Sequence, residues 1–488
     1  MPADREIELK FACGPDDLAA VLAAAPLGDD ETRELISVYF DTPDRDLQKA
    51  GVSLRVREHK GRRIQTLKRG QGLVREEHET PIEGLAPDPA LAPLPSLLPD
   101  GAMLKPAFNV RVSRRQRTFR YQDAEIELAL DQGEVTGGER RSEICEVELE
   151  LKSGPASALF ALARELSAAA PLYLAFDSKA AQGQALVAGA EPASRKGGHV
   201  ALARDATTAQ AFQAIARKAL AQIAGNAAAL RLQPGPEAVH QLRVGARRLR
   251  SALATFKPLV ADEGLEALKT ELRWLSHACD AARNLDVFAD ETLHPAEVGA
   301  APPPGLPPLR KAIDAARRAA WAQASEAASG ERFRALMIDT VAWVETGVWL
   351  DGDGADEPIK PFAKAALKRH LKALAKRGKA ARRGDDEARH HLRIAAKKLR
   401  YAADGLSGLY GKTRAGRYLR HLKDLQEVLG ALNDLATAEP LIAGLTLSPQ
   451  AAFAAGELVG LKAAGKPALL ARAEKALGRL EAAQPFWG

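Results

Sequence analysis

The chain has 488 residues, of which 46% are hydrophobic and 27% charged, and its formal net charge is +6 at pH 7. This length exceeds what one hydrophobic core supports, so two or three domains are expected, and the composition is that of a soluble globular protein. No apolar run approaches the roughly 18 residues of a membrane-spanning helix, and the first residues show no apolar signal segment. The spacing of Cys13, Cys145 and Cys279 predicts neither a disulfide framework nor a zinc site. We therefore expect a soluble, cytoplasmic protein that contacts no membrane.

The first predicted strand alternates charged and apolar side chains. Glu6, Glu8 and Lys10 fall on one face and apolar residues on the other, because successive side chains of a strand point to opposite faces. Two carboxylates and an ammonium are costly to bury unless they meet a metal, counter-charges or a substrate. A single strand of this kind is more often a surface strand with a solvated polar face. Here the pattern recurs in residues 146–152 and, more loosely, in residues 125–131, which favours a shared polar interior.

Further short segments of the first 190 residues carry charges in phase. These are Arg55 and Arg57, then Lys68, then Arg75, Glu77 and Glu79, and finally an arginine cluster at residues 111–117. Within that cluster, strict alternation groups Arg111, Arg115 and Arg117 on one face.

A face that collects so many carboxylates and cations has two explanations. A flat sheet would show them to water, where an exposed ion pair contributes only about 0–1 kcal/mol. A sheet closed into a barrel with this face inward would form a polar tunnel, in which Lys and Arg hold the oxygens of a polyphosphate and carboxylates hold a bridging Mg²⁺ or Mn²⁺. Such a metal would polarise a phosphoryl oxygen and orient or activate a water for attack.

These segments, taken in order, resemble the CYTH superfamily, also called triphosphate tunnel metalloenzymes. Residues 6–10 are similar to its ExExK signature, and the supporting matches are residues 54–57, 66–68, 77–79, 127–133, 146–152 and 177–179. The resemblance implies an N-terminal antiparallel β-barrel with flanking helices.

The resemblance also implies roles for individual residues. Metal ligands, or residues that position a metal-bound water, would be Glu6, Glu8, Glu148 and Glu150. Substrate phosphates would be held by Lys10, Arg55, Arg57, Lys68, Arg114 and Lys179, and the tunnel would be lined by Glu79, Glu127, Glu146 and Lys152. The family pattern points to Arg114, which strict alternation does not group with its neighbours, and a β-bulge would reconcile the two. Gln182 stands where relatives often have Arg, which would weaken one phosphate contact.

The texture of the sequence changes near residue 190. After it the chain is rich in Ala, Leu and Arg and is predicted to be helical almost to its end. We predict a first domain at 1–190, a linker at 191–200 and a helical domain at 201–488. The fold class is thus α+β and multidomain.

The helical part contains an internal repeat. The segment that begins at His240 aligns with the one that begins at His390, and Asn284 and Asp434 each follow 44 positions later, which predicts duplication of a whole helical unit. In each copy the cations fall within an arc of about 80° on a helix. These two stripes are His240, Arg243, Arg247 and Arg250, and His390, Arg393, Lys397 and Arg400.

The stripes and a further acid-free segment suggest an anionic partner. Residues 360–383, which include Lys364 and Lys368, contain ten cations and no acid. One basic helix face is usually only solvated, but several of them in duplicated bundles repel one another and favour binding of a polyanion. A metal site at the histidines lacks further ligands nearby. Contact with phosphate, or a capping or packing role, remains open for each histidine.

The paired motifs resemble the CHAD (conserved histidine α-helical) domain, which commonly follows a CYTH domain. The resemblance implies two pseudo-symmetric four-helix bundles, at about 201–350 and 355–488, and inorganic polyphosphate as the ligand. Association with polyphosphate granules would follow from that ligand.

The leading functional hypothesis is metal-dependent hydrolysis of a short linear triphosphate, with inorganic triphosphate first, joined to polyphosphate binding by the helices. A non-catalytic polyphosphate-binding scaffold and a nucleotide-processing enzyme of the adenylate cyclase type are the alternatives. Nucleic-acid binding ranks behind them, because aromatic residues make up only 5% of the chain and no base-reading motif occurs.

Overall fold

The computed structural model of the protein describes residues 7–59, 61–69, 76–99, 101–189, 194–299 and 302–488. Contacts divide the chain into two units, Met1–Ala193 with Gly330–Thr346, and Ser194–Ser329 with Gly347–Gly488. The first unit is built on an antiparallel sheet and the second is helical, which confirms the predicted fold class. Within these described ranges, no helix combines the length and the apolar character that crossing a bilayer needs.

The first unit contains nine strands in its described part. They are β1 (Ile7–Ala12), β2 (Asp30–Asp41), β3 (Val52–His59), β4 (Arg62–Arg69), β5 (Glu76–Ile82), β6 (Lys105–Tyr121), β7 (Ala124–Gly137), β8 (Arg140–Ser153) and β9 (Tyr173–Leu174). Hydrogen bonding joins them into one sheet in the order β5-β4-β3-β2-β6-β7-β8-β1-β9.

The sheet is open, and the prediction of a closed barrel is wrong in this respect. Its order ends at β5 on one side and β9 on the other, and no pairing between these two is found in the part of the chain that the structure describes. Closure needs a continuous ladder between the edge strands. Because β9 has only two residues, it offers too little backbone to complete such a ladder.

Seventeen helices lie in the described residues. Those before the linker region are α1 (Asp17–Ala24), α2 (Asp46–Lys49), α3 (Ala156–Ala169) and α4 (Lys179–Val187). The others are α5 (Thr208–Leu232), α6 (Pro236–Thr255), α7 (Lys257–Val260), α8 (Gly264–Ala278), α9 (Asp280–Phe288), α10 (His294–Glu297), α11 (Leu306–Ala327), α12 (Glu331–Thr346), α13 (Ile359–Arg383), α14 (Asp386–Leu406), α15 (Lys412–Ala443), α16 (Pro449–Ala464) and α17 (Lys466–Ala482).

Helix α4 is held closely against the sheet. A Cβ on Gly183 would lie 2.1 Å from Cε2 of Phe108, so only glycine permits this approach of α4 to β6. The Ser178 hydroxyl caps the start of the helix by accepting a hydrogen bond from the backbone N–H of Ala181. Together these contacts fix the position of Lys179, the first residue of α4.

Helix α12 belongs to the first unit, although it lies far along the chain. It packs against α3 and β9, Asp339 forms an ion pair with Arg164 of α3, and the guanidinium of Arg334 lies 5.8 Å from the ring centroid of Tyr173. The sequence does not reveal that α12 belongs to the first unit, because its pattern is as helical as that of the segments on either side.

The second unit shows the internal repeat as two helix pairs. α5 and α6 pack together across residues 233–235, and α13 and α14 do so across residues 384–385. The 150-residue offset between His240 and His390 relates residues 264–288, which form α8 and α9, to residues 414–438 within the single helix α15. Thr207 and Gln210 form a capping box at α5, and Asp385 caps α14 through the backbone N–H of Ala388.

Candidate functional site

Strand register brings the predicted charged residues of the first unit to one side of the sheet, which we call the charged face. Directly opposed residues of antiparallel strands share a face, and Glu8 lies opposite Glu150 as Lys10 lies opposite Glu148. The same reasoning, applied to each neighbouring pair of strands, extends the charged face across the sheet. Its members include Glu8, Lys10, Arg55, Arg57, Lys68, Glu79, Arg114, Glu127, Glu146, Glu148 and Glu150. Glu6 lies outside the described residues.

Arg114 lies on the charged face, whereas its neighbours in the arginine cluster do not. It is directly opposite Asp131, and the register between β6 and β7 runs without a shift through this region. The bulge suggested by the sequence is therefore absent here. Arg115 and Arg117 instead bind Asp30 on the other side of the sheet. Strict alternation correctly placed Arg115 and Arg117 on one face of β6, but that face is opposite to the charged face.

The centre of the charged face is a cluster of three buried carboxylates, those of Asp131, Glu146 and Glu148. Each offers an oxygen within 4.8 Å of the others. Lys179 reaches all three, with its Nζ 2.7 Å from Asp131 Oδ2, 2.7 Å from Glu146 Oε2 and 2.8 Å from Glu148 Oε1. We call this set the acid cluster.

Two further cations complete its neutralisation. Arg114 binds Asp131 through Nε and Nη2, both at 2.7 Å, and also contacts Glu148. Lys10 contacts Glu148 and lies 3.8 Å from Glu146. Three carboxylates and three cations therefore face one another, and this matching of charge offsets the cost of burying them.

The pKa values of the cluster follow from this pairing. Burial acts to raise the pKa of Glu148, but Lys10, Lys179 and Arg114 outweigh it and hold that pKa well below its usual range. Burial acts to lower the pKa of Lys179, but the carboxylates, with Glu148 foremost, hold it well above its usual range. The pKa of Asp131 is likewise lowered, chiefly by Lys179 against the effect of burial. Glu148, Asp131 and Lys179 are thus ionised at neutral pH.

The donor set of the acid cluster fits a divalent cation. Carboxylate oxygens are the ligands that Mg²⁺ and Mn²⁺ prefer, and the three groups are close enough to share one ion. Of the ligands predicted from sequence, Glu148 belongs to the cluster. Glu8 and Glu150 lie beside it, with Glu8 Oε1 3.7 Å from Lys10 Nζ and Glu150 Oε1 2.6 Å from Lys152 Nζ.

The strands β3 to β5 carry the cationic end of the charged face. Arg57 Nε donates a hydrogen bond to Ser37 Oγ at 3.1 Å, and burial together with the neighbouring Arg55 lowers the pKa of Arg57 to about 10. The buried Nε atom of Arg55 has no hydrogen-bond partner among the residues described, although its Nη2 lies 3.6 Å from Glu77 Oε1. Buried donors of this kind are costly to leave unpaired, so this end of the face is prepared for an anion.

The remaining predicted lining residues border these two ends. Lys68 Nζ lies 2.7 Å from Glu77 Oε2, and Glu79 accepts a hydrogen bond from Thr66 at 3.0 Å. At the acidic end, Glu127 Oε2 accepts a hydrogen bond from Gln116 at 2.7 Å and lies 3.6 Å from Lys152.

Sequence reasoning missed three members of the charged face. Asp131, fully buried, lies in phase with Glu127 on β7, and the period-2 pattern in residues 125–131 was the signal that could have found it. Arg33 and Tyr39 on β2 carried no such signal, because the positions in phase between them, Leu35 and Ser37, are uncharged. Gln182 binds Glu146 at 2.5 Å, so it supports the acid cluster from α4.

The two cationic stripes of the second unit lie on α6 and α14, which pack against each other. The apolar residues between the stripe positions of α6, such as Leu242 and Leu249, are fully buried. The positive charges of Arg243 and Arg247 act on Arg393 and Lys397 of the opposite stripe. The duplicated motifs therefore converge on one another.

Burial and repulsion between the two stripes lower the pKa values of Lys397 and Arg393. Burial, then Arg247 and Arg393, lower the pKa of Lys397 to about 6. Burial also lowers the pKa of Arg393, although Asp434 opposes the change, and the Nε atom of Arg393 is buried without a hydrogen-bond partner in the described ranges.

Several stripe cations have partners outside the stripes, and one of these partners is an acid. Arg243 pairs with Asp280, Arg247 Nη1 lies 3.4 Å from the Tyr401 hydroxyl, and Arg400 donates to Gln426 Oε1 at 2.7 Å. Arg250 is exposed.

The two histidines occupy equivalent positions in the repeat, but His390 is exposed and His240 is half-buried. His390 Nδ1 lies 3.3 Å from Asn433 Oδ1, and the residue at the same offset in the first copy, Arg283, together with burial lowers the pKa of His240. Among the residues described, the one group with metal-ligand spacing is the acid cluster. Lys364 and Lys368 are exposed on α13, outside both stripes.

Comparison with known proteins agrees with both halves of this description. A model of the CYTH domain matches residues 4–183, and a model of the CHAD domain matches residues 214–443. The crystal structure of the CHAD domain from the plant Ricinus communis is 32% identical to this chain with a TM-score of 0.52, and the match covers 60% of this chain and 99% of that one. This chain belongs to the CHAD family, and a CYTH domain precedes its CHAD domain. The charged face lies in its CYTH domain and the two stripes in its CHAD domain.

Two further relatives were found for this CYTH–CHAD protein. An inorganic triphosphatase from Haemophilus influenzae is 32% identical over 193 residues, which are 37% of this chain and 55% of that protein. The chain thus spans about half the length of this curated relative. PptA from Streptomyces chartreusis is 23% identical with a TM-score of 0.42, covering 56% of this chain and 100% of that one.

Proposed function

We propose that the CYTH domain hydrolyses a short linear triphosphate in a metal-dependent reaction, with inorganic triphosphate as the first candidate. The observation that carries the proposal is the division of one continuous face into two ends. One end holds the acid cluster, and the other holds Arg57 and Arg55, of which Arg55 has a buried Nε atom without a hydrogen-bond partner among the described residues. A polyphosphate with its divalent cation matches both ends at once. The name of the Haemophilus influenzae relative supports the same substrate.

Substrate binding would begin at the cationic end. Arg55, Arg57 and Lys68 would hold phosphate oxygens, since Arg matches the paired oxygens of a phosphoryl group and Lys supplies a point charge. The next phosphates would then be bound by Lys10, Lys179 and Arg114, which would release their carboxylate partners.

That exchange would release Asp131, Glu146 and Glu148 to hold Mg²⁺ or Mn²⁺, with Glu148 also the ligand named by sequence. When bound, the metal supplies Lewis-acid polarisation of a phosphoryl oxygen. Glu8 and Glu150, opposed on β1 and β8, would accept hydrogen bonds from the attacking water and so orient it in line with the phosphoanhydride bond.

The CHAD domain would bind inorganic polyphosphate through the two stripes. Burial and the neighbouring arginines lower the pKa values of Arg393 and Lys397, so the fold disfavours their charged forms, and a chain of phosphates would favour them. The exposed Lys364 and Lys368 would extend this surface. We place the protein in the cytoplasm, where such a domain would associate it with polyphosphate granules.

Phosphate release from inorganic triphosphate with Mg²⁺ or Mn²⁺ tests the catalytic proposal. We expect Glu8→Gln and Glu148→Gln each to abolish most of the release, whereas Glu125→Gln, the same change on an exposed residue of β7, leaves it intact. Equal release by all three variants would remove the assigned roles. No release by the wild-type chain, with polyphosphate binding retained, would favour the scaffold alternative.

The same assay with ATP separates hydrolysis from cyclisation. Hydrolysis releases phosphate, whereas a cyclase releases pyrophosphate and a cyclic nucleotide. For the CHAD domain, competition between long-chain polyphosphate and single-stranded DNA at matched salt decides the ligand, and preference for DNA would overturn the polyphosphate proposal.

A further inference from the structure

Two cysteines that are distant in sequence meet at one end of the CYTH sheet. Cys13 directly follows β1, and its backbone N–H donates to the carbonyl of Cys145 on β8 at 3.3 Å, which continues the β1–β8 ladder by one position. Their Sγ atoms lie 3.6 Å apart. The sequence spacing gave no sign of a pair, whereas the register makes them direct neighbours. The third cysteine, Cys279, belongs to the other unit and is buried.

We propose that Cys13 and Cys145 are a redox-active dithiol that closes to an intramolecular disulfide when a hydroperoxide oxidises it. Opposed residues of an antiparallel ladder have Cα atoms about 4.5–5.5 Å apart, within the range of about 4.4–6.8 Å that a disulfide spans. The sulfur atoms must approach from 3.6 Å to about 2.05 Å. Rotation about the two Cα–Cβ bonds provides this approach without movement of the strands.

The pair is open to a small oxidant. Both cysteines line a cleft of about 890 Å³ and are only partly buried. The charged side chains of this cleft are one arginine, Arg111, and four carboxylates, those of Glu34, Glu134, Glu143 and Glu146. Its excess negative charge repels anionic disulfides such as oxidised glutathione but not neutral hydrogen peroxide. Burial and nearby carboxylates raise the pKa of both thiols, so the attack on peroxide is slow.

The oxidation balances with hydrogen peroxide as the only co-reactant. One thiolate attacks a peroxide oxygen, the O–O bond breaks, and the departing hydroxide takes up the thiol proton to leave as water, which leaves a sulfenic acid. The second thiolate attacks the sulfenic sulfur, the S–O bond breaks, and hydroxide leaves as water with the second proton. Two thiols and one peroxide thus give one disulfide and two waters.

The new bond would join the two strands that carry much of the charged face. It lies one position from the Ala12–Glu146 pair, and β1 bears Glu8 and Lys10. Closing the ladder at this end restricts separation of β1 from β8, so the oxidised protein should unfold at a higher temperature than the reduced one. This inference concerns the thiols alone and does not depend on hydrolysis.

Peptide mapping under non-reducing conditions tests the proposal on the full chain. Trypsin places the three cysteines on separate peptides, residues 11–33, 142–152 and 274–283. After treatment with hydrogen peroxide and capture of remaining thiols, we expect peptides 11–33 and 142–152 to be linked, with a mass about 2 Da below their sum. Peptide 274–283 should stay alkylated. At equal oxidant concentration, the linked peptide should form about tenfold faster with hydrogen peroxide than with oxidised glutathione.

Single variants separate a pair from two independent thiols. Cys13→Ser and Cys145→Ser should each abolish the linked peptide, abolish the rise in melting temperature on oxidation, and leave the remaining thiol to proceed to sulfinic acid. Cys279→Ser should change none of these results. The proposal would be overturned if the wild-type chain formed no linked peptide and both of its thiols were oxidised to sulfinic acid, as in the single variants.

Discussion

Lys179 and Glu148 contact each other at 2.8 Å inside the CYTH domain, and each reverses the effect that burial has on the other. Burial alone would favour a neutral lysine and a protonated carboxyl group. Together with their neighbours in the acid cluster they hold the pKa of Lys179 up and that of Glu148 down. The site is therefore charged in its resting form, and its stability depends on both partners being present.

A double-mutant cycle on this pair should show strong coupling. We expect Lys179→Met alone to cost about 3–5 kcal/mol in the free energy of unfolding, because it leaves three buried carboxylates with only two cations, Arg114 and Lys10. Lys179→Met combined with Glu148→Gln should cost less than the sum of the two single variants. Urea denaturation followed by circular dichroism measures all three. Additive effects would mean that the two residues act independently, against the contacts described.

Arg57 should contribute to substrate binding more than to stability. Its pKa is lowered by burial and by Arg55, so a bound anion would favour its charged form. We expect Arg57→Gln to raise KM for triphosphate about 10- to 100-fold, the effect of losing one charged hydrogen bond, and to reduce the rise in melting temperature that triphosphate produces.

The matched control is Arg63→Gln on the adjacent strand. Arg63 points to the other side of β4, where it pairs with Glu58 at 3.2 Å. It should leave KM and the ligand-induced shift unchanged. An equal increase in KM in both variants would indicate a general loss of positive potential instead of a contact at Arg57.

The charged face was accessible from sequence because it depends on a local rule. A period of two placed Glu8 with Lys10 and Glu148 with Glu150, and the register of β1 with β8 then made them neighbours. What the sequence could not show was long-range. Lys179 meets Asp131 only because α4 docks on the sheet through Gly183.

Three other features have the same origin. Cys13 and Cys145 are 132 positions apart and become a pair only through strand register. The open edge of the sheet follows from the shortness of β9. Helix α12 follows α11 along the chain as one more helix, so its packing on α3 cannot be inferred from the local sequence.

The CYTH domain should need α12 for full stability. We expect a fragment of residues 1–193 to melt below the full chain, because apolar surface of α3 that α12 covers becomes exposed. A synthetic peptide of residues 330–346 should raise the melting temperature of the fragment, and a scrambled peptide should not. Calorimetry measures both. A fragment that melts with the full chain and ignores the peptide would show that α12 is dispensable.

Polyphosphate binding to the CHAD domain should take up a proton at Lys397. In the free protein the pKa of Lys397 is about 6, so this side chain is largely neutral at pH 8. A bound polyanion favours the charged form and raises the pKa. Affinity should therefore increase as the pH falls from 8 towards 6, the range in which the free protein binds fewer protons than the complex.

Calorimetric titrations with polyphosphate, in buffers of different ionisation enthalpy, measure this uptake directly. Lys397→Arg, which keeps its charge throughout the range, should reduce the uptake and flatten the dependence of affinity on pH. The partly buried His240, whose pKa is also lowered, accounts for any uptake that remains, and His240→Asn should remove it. Proton uptake unchanged by Lys397→Arg would show that the stripe does not meet the ligand at this residue.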